Sequence, residues 1–457
     1  MILVGIDVGT TAIKACMFDE EGTLLGVGHA EYTLETPAPD IVELDAAEYW
    51  KATQAALAQL PDKNIDAVGI TGQAETLVTI DENGGQTGKA IVWLDNRAKD
   101  EAEEIAAHFG DEIFWLSGQT EVLPCFPAPK ILWMKRHDPE RFAKTAKFMM
   151  VEDYIAWCMS GYCRTCRGLL PSSLYYDIRT GEYYKPMLDY IGIDAGRLPE
   201  LASPGERINP TGSVKYVAAP IDHVCGNFGA GGCITETTGC SLAICAISKK
   251  LIYDEKRRIS TYCGASDGEF ALLPWAPTGG MILRHFRDNF GGGLSYDELG
   301  ALAAEVKPGA DGLIILPHCA GTVSPVTNPN ARGVAWGFTL AHTKAHWARA
   351  IMESIAYLLR DNVETLRSIG CQVDAITSLG GAASNPLWLQ IKADVLQMPV
   401  TVPECPEVTA LGAAMLAKGN DFEKMRRTGK TILPGKAAYE ESFARYRQLN
   451  DLILPTF

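Results

Sequence analysis

The chain opens with Met1-Ile-Leu-Val-Gly-Ile-Asp7-Val-Gly9-Thr10-Thr11-Ala-Ile-Lys14. The apolar run before Asp7 predicts a buried strand, and the polar Val-Gly-Thr-Thr segment predicts a tight turn into a second strand over residues 13–18. Such a turn exposes backbone N–H groups, two hydroxyls and a carboxylate at one point. Amides and hydroxyls suit phosphate oxygens, and the Asp7 carboxylate suits hydrated Mg²⁺. An ordinary edge hairpin, with glycine chosen for its positive φ, would explain the same pattern.

Length and composition restrict the class of protein. A chain of 457 residues is too long for one core and predicts two or three domains. Its formal net charge of −15 argues against a nucleic-acid partner, because an acidic surface repels the phosphate backbone. We find no apolar run long enough to cross a membrane, and Asp7 interrupts the N-terminal one, so we expect a cytosolic protein without a signal peptide.

The thirteen cysteines are scattered and lie mostly in apolar runs. In a reducing compartment such residues behave as small hydrophobic side chains. One C-x-x-C motif occurs, Cys163-Arg-Thr-Cys166, but no second pair follows at zinc-site spacing. A metal or redox role for this motif therefore has little support.

Polar side chains follow several buried strands in the first half. Thr71-Gly-Gln73-Ala-Glu75-Thr follows an apolar strand at 66–70, and Trp93-Leu-Asp95-Asn-Arg97 follows another at 90–92. Ligands usually bind at such strand ends in α/β sheets. A plain ion pair would also explain Asp95 and Arg97, and a core position would explain Trp93. The acidic pair at 152–153 lies in an apolar helix, where buried carboxylates are costly unless they are paired or functional.

The second half repeats the pattern of the first. Asp222 ends a short apolar strand and precedes a small-residue helix, which suits a catalytic base; a helix N-cap would explain it as well. The segment Thr238-Gly239 is a glycine turn with hydroxyl neighbours beside a new strand, as in the first hairpin. Two such turns predict two lobes that face one polyphosphate, divided into residues 1–238 and 239–457. Glycines at 380–381 would let a flat ring or phosphate approach the backbone, with Asn385 able to bond a purine edge or ribose.

Taken together, these motifs resemble the FGGY family of carbohydrate kinases. They follow the family's order over nearly the whole chain: D-x-G-T-T-x-x-K at 7–14, W-x-D-x-R at 93–97, Asp153-Tyr154, P-I-D at 220–222, A-R-G at 331–333, G-G-A-A-S-N-P at 380–386 and E-x-x-A-L-G-A-A at 407–414. The resemblance implies an α/β protein with the actin-like ATPase fold. Two ribonuclease-H-like lobes, each a mixed sheet flanked by helices, would enclose a central cleft.

The resemblance also implies roles for individual residues. Those expected to hold ATP and Mg²⁺ are Asp7, which is the metal ligand, Gly9, Thr10, Thr11, Lys14, Thr238, Gly239, Gly380, Gly381, Ala382 and Asn385. Asp222 would be the general base that takes the proton from a sugar hydroxyl. The expected sugar-site residues are Gln73, Glu75, Trp93, Asp95, Arg97, Asp153 and Asp222. The partner would be a small sugar or polyol, and family likeness makes a homodimer a reasonable expectation.

Departures from the family pattern bear on activity and substrate. Cys240 follows Gly239 where the family usually has threonine, Thr322-Val-Ser-Pro replaces E-R-[ST]-P, and Cys125 is unusual before Lys130. Xylulokinases carry G-Q-M-H-G, whereas this chain has Gly72-Gln-Ala-Glu75-Thr, closer to the Q-R-E-T of glycerol kinases. Glu75 can accept hydrogen bonds from two vicinal hydroxyls.

We therefore expect an ATP-dependent sugar kinase that phosphorylates a terminal hydroxyl, with a ketopentose such as xylulose as the leading substrate. A glycerol, tetritol or other ketose kinase is the alternative within the same class. Two other classes share parts of the pattern. An Hsp70-like binding protein opens with D-x-G-T-T but would not explain W-x-D-x-R or Asp222, and a catalytically silent sugar sensor would explain Cys240.

Overall fold

The computed structural model describes residues 1–232 and 234–457. Strands of the first half are β1 Leu3–Val8, β2 Ala12–Phe18, β3 Leu24–Glu31, β4 Glu35–Ala38, β5 Ile41–Leu44, β6 Ala67–Gly72, β7 Leu77–Ile80, β8 Ala90–Ile91, β9 Lys147–Met150, β10 Arg164–Cys166, β11 Tyr176–Asp177, β12 Glu182–Tyr183, β13 Glu200–Ala202 and β14 Lys215–Ala218. Its helices are α1 Ala46–Ala58, α2 Lys99–Phe109, α3 Glu112–Ser117, α4 Pro127–His137, α5 Pro139–Lys144, α6 Val151–Ser160, α7 Lys185–Ile191 and α8 Asp222–Ala230.

The second half follows with its own strands and helices. The strands are β15 Ile234–Thr238, β16 Leu242–Ser248, β17 Ser260–Cys263, β18 Phe270–Leu273, β19 Trp275–Ala276, β20 Ile314–Leu316, β21 Val334–Trp336, β22 Ile376–Leu379, β23 Val400–Pro403 and β24 Thr428–Ile432. The helices are α9 Met281–Phe290, α10 Tyr296–Ala304, α11 Lys344–Ser368, α12 Pro386–Leu396, α13 Val408–Lys418 and α14 Glu440–Ile453.

Two mixed sheets organise these elements, and in both the first strand pairs antiparallel with the next strand and parallel with a later one. The first has the strand order β14-β6-β1-β2-β3, in which β1 pairs antiparallel with β2 and parallel with β6. The second has the order β17-β18-β16-β15-β22-β23-β24, in which β15 pairs antiparallel with β16 and parallel with β22. The two-lobed actin-like fold expected from the sequence is confirmed.

The change from one sheet to the other comes between β14 and β15. Strand β15 pairs in the second sheet although it lies before residue 239, and α13 packs against β1 and β6 of the first sheet although it lies after it. The predicted division into residues 1–238 and 239–457 stays a prediction about domains. Strand β15 thus belongs to the second sheet although it precedes the predicted boundary, and helix α13 packs on the first sheet although it follows that boundary.

Close packing of α13 explains two glycines of the first sheet. Gly5 and Gly69 lie side by side on β1 and β6. A Cβ at Gly5 would lie 1.8 Å from the Ala410 carbonyl oxygen, and one at Gly69 would lie 1.9 Å from that of Ala413. The helix backbone therefore rests directly on the sheet, which no larger residue would permit.

The twelve cysteines that the structure describes show no metal arrangement. Cys163 contacts the sulfur of Met149, Cys166 is fully buried, and the twelve described cysteines are free thiols, Cys233 lying outside the described residues. Within residues 1–232 and 234–457, no group of three histidine, cysteine or acidic side chains converges as a metal site would require. No described helix combines the length and the apolar character that crossing a membrane demands.

Candidate active site

The first hairpin presents a buried acid without a partner. Asp7 lies opposite Lys14 in the register of β1 and β2. Its Oδ1 atom is buried and has no hydrogen-bond partner among the described residues. Burial raises the pKa of Asp7 to about 7, the neighbouring carboxylates of Asp222 and Glu407 add to the rise, and Lys14 opposes it. Buried polar atoms are nearly always partnered in native proteins, so this oxygen is available for a ligand.

The turn of this hairpin is tied to the residues that follow β6 and β8. The Trp93 indole Nε1 donates to Thr10 Oγ1 at 2.9 Å. The Gly9 carbonyl accepts from the Tyr32 hydroxyl and, at 3.5 Å, from Gln73 Nε2. The predicted phosphate turn and the predicted sugar-site residues Gln73 and Trp93 are thus in direct contact.

Lys14 and Thr11 complete the hairpin. The Lys14 ammonium donates to both carboxylate oxygens of Glu407, which precedes α13, at 3.1 and 2.9 Å. This ion pair is partly exposed. Thr11 lies at the exposed tip of the turn. The hairpin therefore offers a cation and a hydroxyl at its rim and the Asp7 carboxylate inside.

Asp222 begins helix α8 and points its carboxylate toward the same region. Its Oδ1 atom accepts from the His223 N–H at 2.6 Å, and 37% of its side chain is exposed. The N-cap position is Ile221, so the predicted N-cap alternative for Asp222 does not apply. The charge of Asp222 raises the pKa of both Asp7 and Glu75, so Asp222 lies within electrostatic range of each of these two carboxyls. The helix N-terminus stabilises a carboxylate at this position.

The segment after β6 turns sharply. Ala74 and Glu75 both have left-handed backbone angles, with φ of 53° and 51°. Burial raises the pKa of Glu75 to about 7, the Ser172 hydroxyl and Lys130 lower it, and Asp222 raises it further. The Glu75 carboxyl therefore lies in the same acidic cluster as Asp7 and Asp222.

Two charged side chains that the sequence did not single out as site residues hold this turn. Glu152 Oε1 accepts from the Ala74 N–H at 2.7 Å. Lys130 Nζ donates to the carbonyl oxygens of Glu75, Ile91 and Val92 at 2.9, 3.2 and 3.0 Å. Burial raises the pKa of Glu152 to about 8 and lowers that of Lys130 to about 8. The sequence feature that indicated a role for Glu152 was the acidic pair at residues 152–153 within an apolar helix.

Asp153 lies elsewhere. Its Oδ2 atom accepts from the Met150 N–H at 3.1 Å, at the start of α6. Burial raises its pKa to about 7, with the Thr165 hydroxyl and the Met150 N–H opposing the rise. Its charge is felt by Tyr175 and Tyr183 rather than by the acidic cluster. The structure therefore brings Glu152, and not the predicted Asp153, to the turn after β6, because adjacent residues face different sides of a helix.

Asp95 and Arg97 form a buried ion pair. Arg97 donates to both oxygens of Asp95, at 2.8 and 2.7 Å, and to Glu43 at 2.8 Å. Asp95 also accepts from the Val42 N–H at 2.7 Å, and its side chain is fully buried. Of the predicted W-x-D-x-R residues, Trp93 contacts Thr10 of the first hairpin, whereas Asp95 and Arg97 are engaged with each other and with Glu43.

The second lobe carries a separate pocket of about 280 Å³. The predicted residues Thr238, Gly239, Gly381, Ala382 and Asn385 line it, together with Cys240. Gly380 does not line it but lies beneath, where an added Cβ would be 3.1 Å from the Thr238 carbonyl oxygen. The sequence did not predict the rest of the lining, which comprises Gly280 and Ser384 and, from α9, α10 and α12, Met281, Leu283, Arg284, Tyr296, Asp297 and Trp388.

A fully buried ion pair supports the floor of this pocket. Lys392 Nζ lies 2.5 Å from Glu236 Oε1, and neither side chain is exposed. Thr238 Oγ1 donates to the other Glu236 oxygen at 2.7 Å and accepts from Lys392 at 3.0 Å. The hydroxyl of Thr238 is thus occupied within the protein, so the Cys240 side chain is the polar side chain that the second turn presents to the pocket.

Comparison with known proteins agrees with this geometry. Residues 2–219 match the N-terminal domain of the FGGY family of carbohydrate kinases, and residues 252–418 match its C-terminal domain. A xylulose kinase of Bacillus subtilis is 29% identical over 98% of this chain and 95% of its own length. A gluconokinase of Bacillus licheniformis is also 29% identical (99% and 94%), and a glycerol kinase of Trichlorobacter lovleyi is 31% identical (91% and 89%).

A solved structure extends the likeness to three dimensions. The xylulose kinase of Rhodospirillum rubrum superposes with a TM-score of 0.91 at 26% sequence identity. The superposition covers 100% of this chain and 99% of that chain. Both lobes and their connection are therefore shared.

Proposed function

We propose that this chain, which belongs to the FGGY family of carbohydrate kinases, transfers the γ-phosphate of ATP to a terminal hydroxyl of an uncharged ketopentose such as xylulose. The chain is a sugar kinase by its family. The observation that carries the finer proposal is the buried Asp7 oxygen that has no partner among the described residues, together with Asp222, whose charge acts on both Asp7 and Glu75.

Asp222 is the proposed general base. The reacting hydroxyl gives its proton to the Asp222 carboxylate while its oxygen forms a bond to the γ-phosphorus, and the bond from that phosphorus to the ADP oxygen breaks. The partial exposure of Asp222 leaves it accessible to a hydroxyl, and the position at a helix N-terminus holds the carboxylate in one orientation. The Glu75 carboxylate would accept hydrogen bonds from the other hydroxyls, and the Gln73 amide would donate to them.

Mg²⁺ fits beside Asp7. The carboxylate offers one buried oxygen without a partner among the described residues, and hard cations prefer such oxygens. The ion supplies charge neutralisation for the phosphates when bound. Lys14 and Thr10 lie on the same hairpin as Asp7 and would contact the phosphates directly.

The pocket of the second lobe is the proposed adenosine site. Glycine and alanine at 381–382 bring the backbone to its surface, and Trp388 and Tyr296 give it apolar walls. Met281 and Leu283 add apolar contacts, and Arg284, Asp297 and Asn385 add polar groups, a mixed lining that is typical of small-molecule pockets. Phosphates leaving this pocket past Gly239 would meet the first hairpin.

The charge of the cleft favours an uncharged substrate over a sugar acid. Asp222 already raises the pKa of Asp7 and Glu75, so a further anion would be repelled. The cations Lys130, Arg97 and Lys14 are already engaged: Lys130 with three carbonyl oxygens, Arg97 with Asp95 and Glu43, and Lys14 with Glu407. We therefore place a neutral ketose ahead of an aldonate.

A glycerol or tetritol kinase is the second candidate. Glu75 is the observation in its favour, because an acid at this position can bind two vicinal hydroxyls of a small polyol. The segment around Glu75 also resembles the Q-R-E-T motif of glycerol kinases. The predicted homodimer stays a prediction in either case.

A substrate panel tests the proposal. ADP release with Mg-ATP would be measured with xylulose, ribulose, a hexulose, erythritol, glycerol and gluconate, each against a control without sugar. We expect xylulose to stimulate release most and gluconate least. Stimulation by glycerol or erythritol alone would favour the second candidate, and stimulation by gluconate alone would contradict the charge argument.

A further inference from the structure

The backbone of the turn after β6 is strained. Two consecutive residues other than glycine, Ala74 and Glu75, have left-handed angles before the chain enters β7. A left-handed backbone costs free energy at a residue other than glycine and persists only where the surroundings hold it. A strained turn that carries a substrate-binding carboxyl therefore needs a rigid support.

Glu152 supports the turn from one side. It lies in the first turn of α6, is 2% exposed, and accepts from the Ala74 N–H at 2.7 Å. This bond satisfies an amide that the left-handed conformation turns away from the β-sheet. The residue is a costly one to bury, since its second oxygen has no partner among the described residues.

Lys130 supports the turn from the other side. Its ammonium is fully buried and joins the Glu75 carbonyl to the carbonyls of Ile91 and Val92, which immediately precede Trp93. One side chain thus fixes both the turn that carries Glu75 and the chain that delivers the Trp93 indole. Loss of the ammonium would leave three carbonyl oxygens without this donor.

We propose that Glu152 and Lys130, which we name the turn clamp, are positioning residues that determine affinity for the acceptor sugar. The clamp acts through Glu75 and Trp93 and does not itself touch the substrate. It contacts no residue of the second-lobe pocket, so it should affect the sugar and leave the nucleotide unaffected. The inference rests on the proposed function, because it assigns Glu75 and Trp93 to the sugar site.

Matched substitutions at Glu152 test the clamp. Glu152→Met removes the acceptor for the Ala74 N–H at similar size, whereas Glu152→Gln keeps an oxygen acceptor. We expect the methionine variant to raise the KM for the sugar about tenfold, with the KM for ATP within twofold of wild type, and the glutamine variant to stay within threefold for both. Equal rises for sugar and ATP, or equal effects of both substitutions, would overturn the proposal.

Lys130 provides a second pair on a different helix. Lys130→Gln retains a donor and Lys130→Met does not, so the methionine variant should again raise the KM for the sugar more than the glutamine variant. No difference between the two in well-folded protein would count against the clamp. Thermal unfolding of each variant verifies the fold before kinetics.

A measurement on the wild type keeps the proposal testable if a variant does not fold. Amide hydrogen exchange should show the Ala74 N–H protected before any sugar is added, because Glu152 already binds it. Fast exchange of this amide would overturn the clamp. If no sugar stimulates the wild type, the proposed function fails, while the exchange result still decides on the clamp.

Discussion

Each lobe begins with an antiparallel hairpin that carries an acidic residue, and the two acids differ in their partners. In the first hairpin, Asp7 lies near the end of β1 with a buried oxygen that no described residue partners. In the second, Glu236 lies on β15 and pairs with Lys392 at 2.5 Å, with Thr238 on its other oxygen. One scaffold thus gives an acid kept free for ligands and an acid neutralised inside the protein.

This difference indicates that the two hairpins have different functions. A free carboxylate near other acids is costly in the folded protein and is kept where a cation or substrate binds. The paired Glu236 and Lys392 add no net charge to the second-lobe pocket, and both are hydrogen-bonded to Thr238, which precedes Gly239. The first hairpin should therefore contribute mainly to catalysis, and the second mainly to stability and shape.

The largest expected effect comes from breaking the second hairpin's pair. Lys392→Met leaves the buried Glu236 carboxylate without its cation, and we expect the free energy of unfolding to fall by about 3–5 kcal/mol. Urea denaturation measures this change.

Lys14→Met is the matched control on the first hairpin. Its ion pair with Glu407 is partly exposed, so we expect a loss below about 1 kcal/mol. A larger loss for Lys14→Met than for Lys392→Met would contradict the contrast between the hairpins.

Asp7→Asn should stabilise the ligand-free protein as the pH rises. The pKa of Asp7 is about 7 in the folded protein against an ordinary 3.8, so the folded state holds a proton that the unfolded chain releases. The resulting stability is fully present below about pH 4 and is lost as the pH rises through about 7. At pH 8 the variant should be more stable than wild type by about 4 kcal/mol, with a gain below about 2 kcal/mol at pH 5.

Urea titrations of both proteins at the two pH values provide the measurement. Glu236→Gln offers the contrast, because it weakens the pair with Lys392 and should destabilise. The comparison would be wrong if Asp7→Asn were the less stable protein at pH 8.

Thr10 tests how the first hairpin positions Trp93. Thr10→Val removes the acceptor of the indole N–H, and we expect the KM for the sugar to rise about fivefold, since a neutral hydrogen bond contributes about 1 kcal/mol. Thr10→Ser keeps the hydroxyl and should stay within twofold. Equal kinetic constants for the two variants would show that the bond does not position the ring.

The smallest effect is expected at Cys240. This residue lines the second-lobe pocket, which we propose binds adenosine, at a position where the related pattern has threonine, and a thiol is a weak donor. Cys240→Thr should lower the KM for ATP about twofold to threefold, with the KM for the sugar unchanged. Cys240→Ala serves as the control and should behave as wild type; improvement in the alanine variant would point to size rather than hydrogen bonding.

The fold and the backbone turns were predictable from sequence because they depend on local pattern. The apolar run ending at Asp7 and the glycine turns at 9 and 239 specify hairpins by short-range chemistry. The glycines of the second pocket were found for the same reason, since approach of a ligand to the backbone requires small residues at fixed places.

Side chains that act across the fold were not predictable in the same way. Only the orientation of α6 decides that Glu152, and not Asp153, faces the Ala74 amide. The pairing of Arg97 with Glu43 depends on a strand more than fifty residues earlier. Met281, Tyr296 and Trp388 come from three helices without a shared motif, so only the packed structure brings them into one pocket.

Sugar-stimulated ADP release by Asp222→Asn, measured beside wild type, tests the central claim most directly. If Asp222 accepts the proton of the sugar hydroxyl, kcat should fall by a factor of about 10²–10⁴ while the KM for the sugar changes little. His223→Gln is the neighbouring control and should retain most activity. A sugar-stimulated kcat of Asp222→Asn within threefold of wild type would contradict the account.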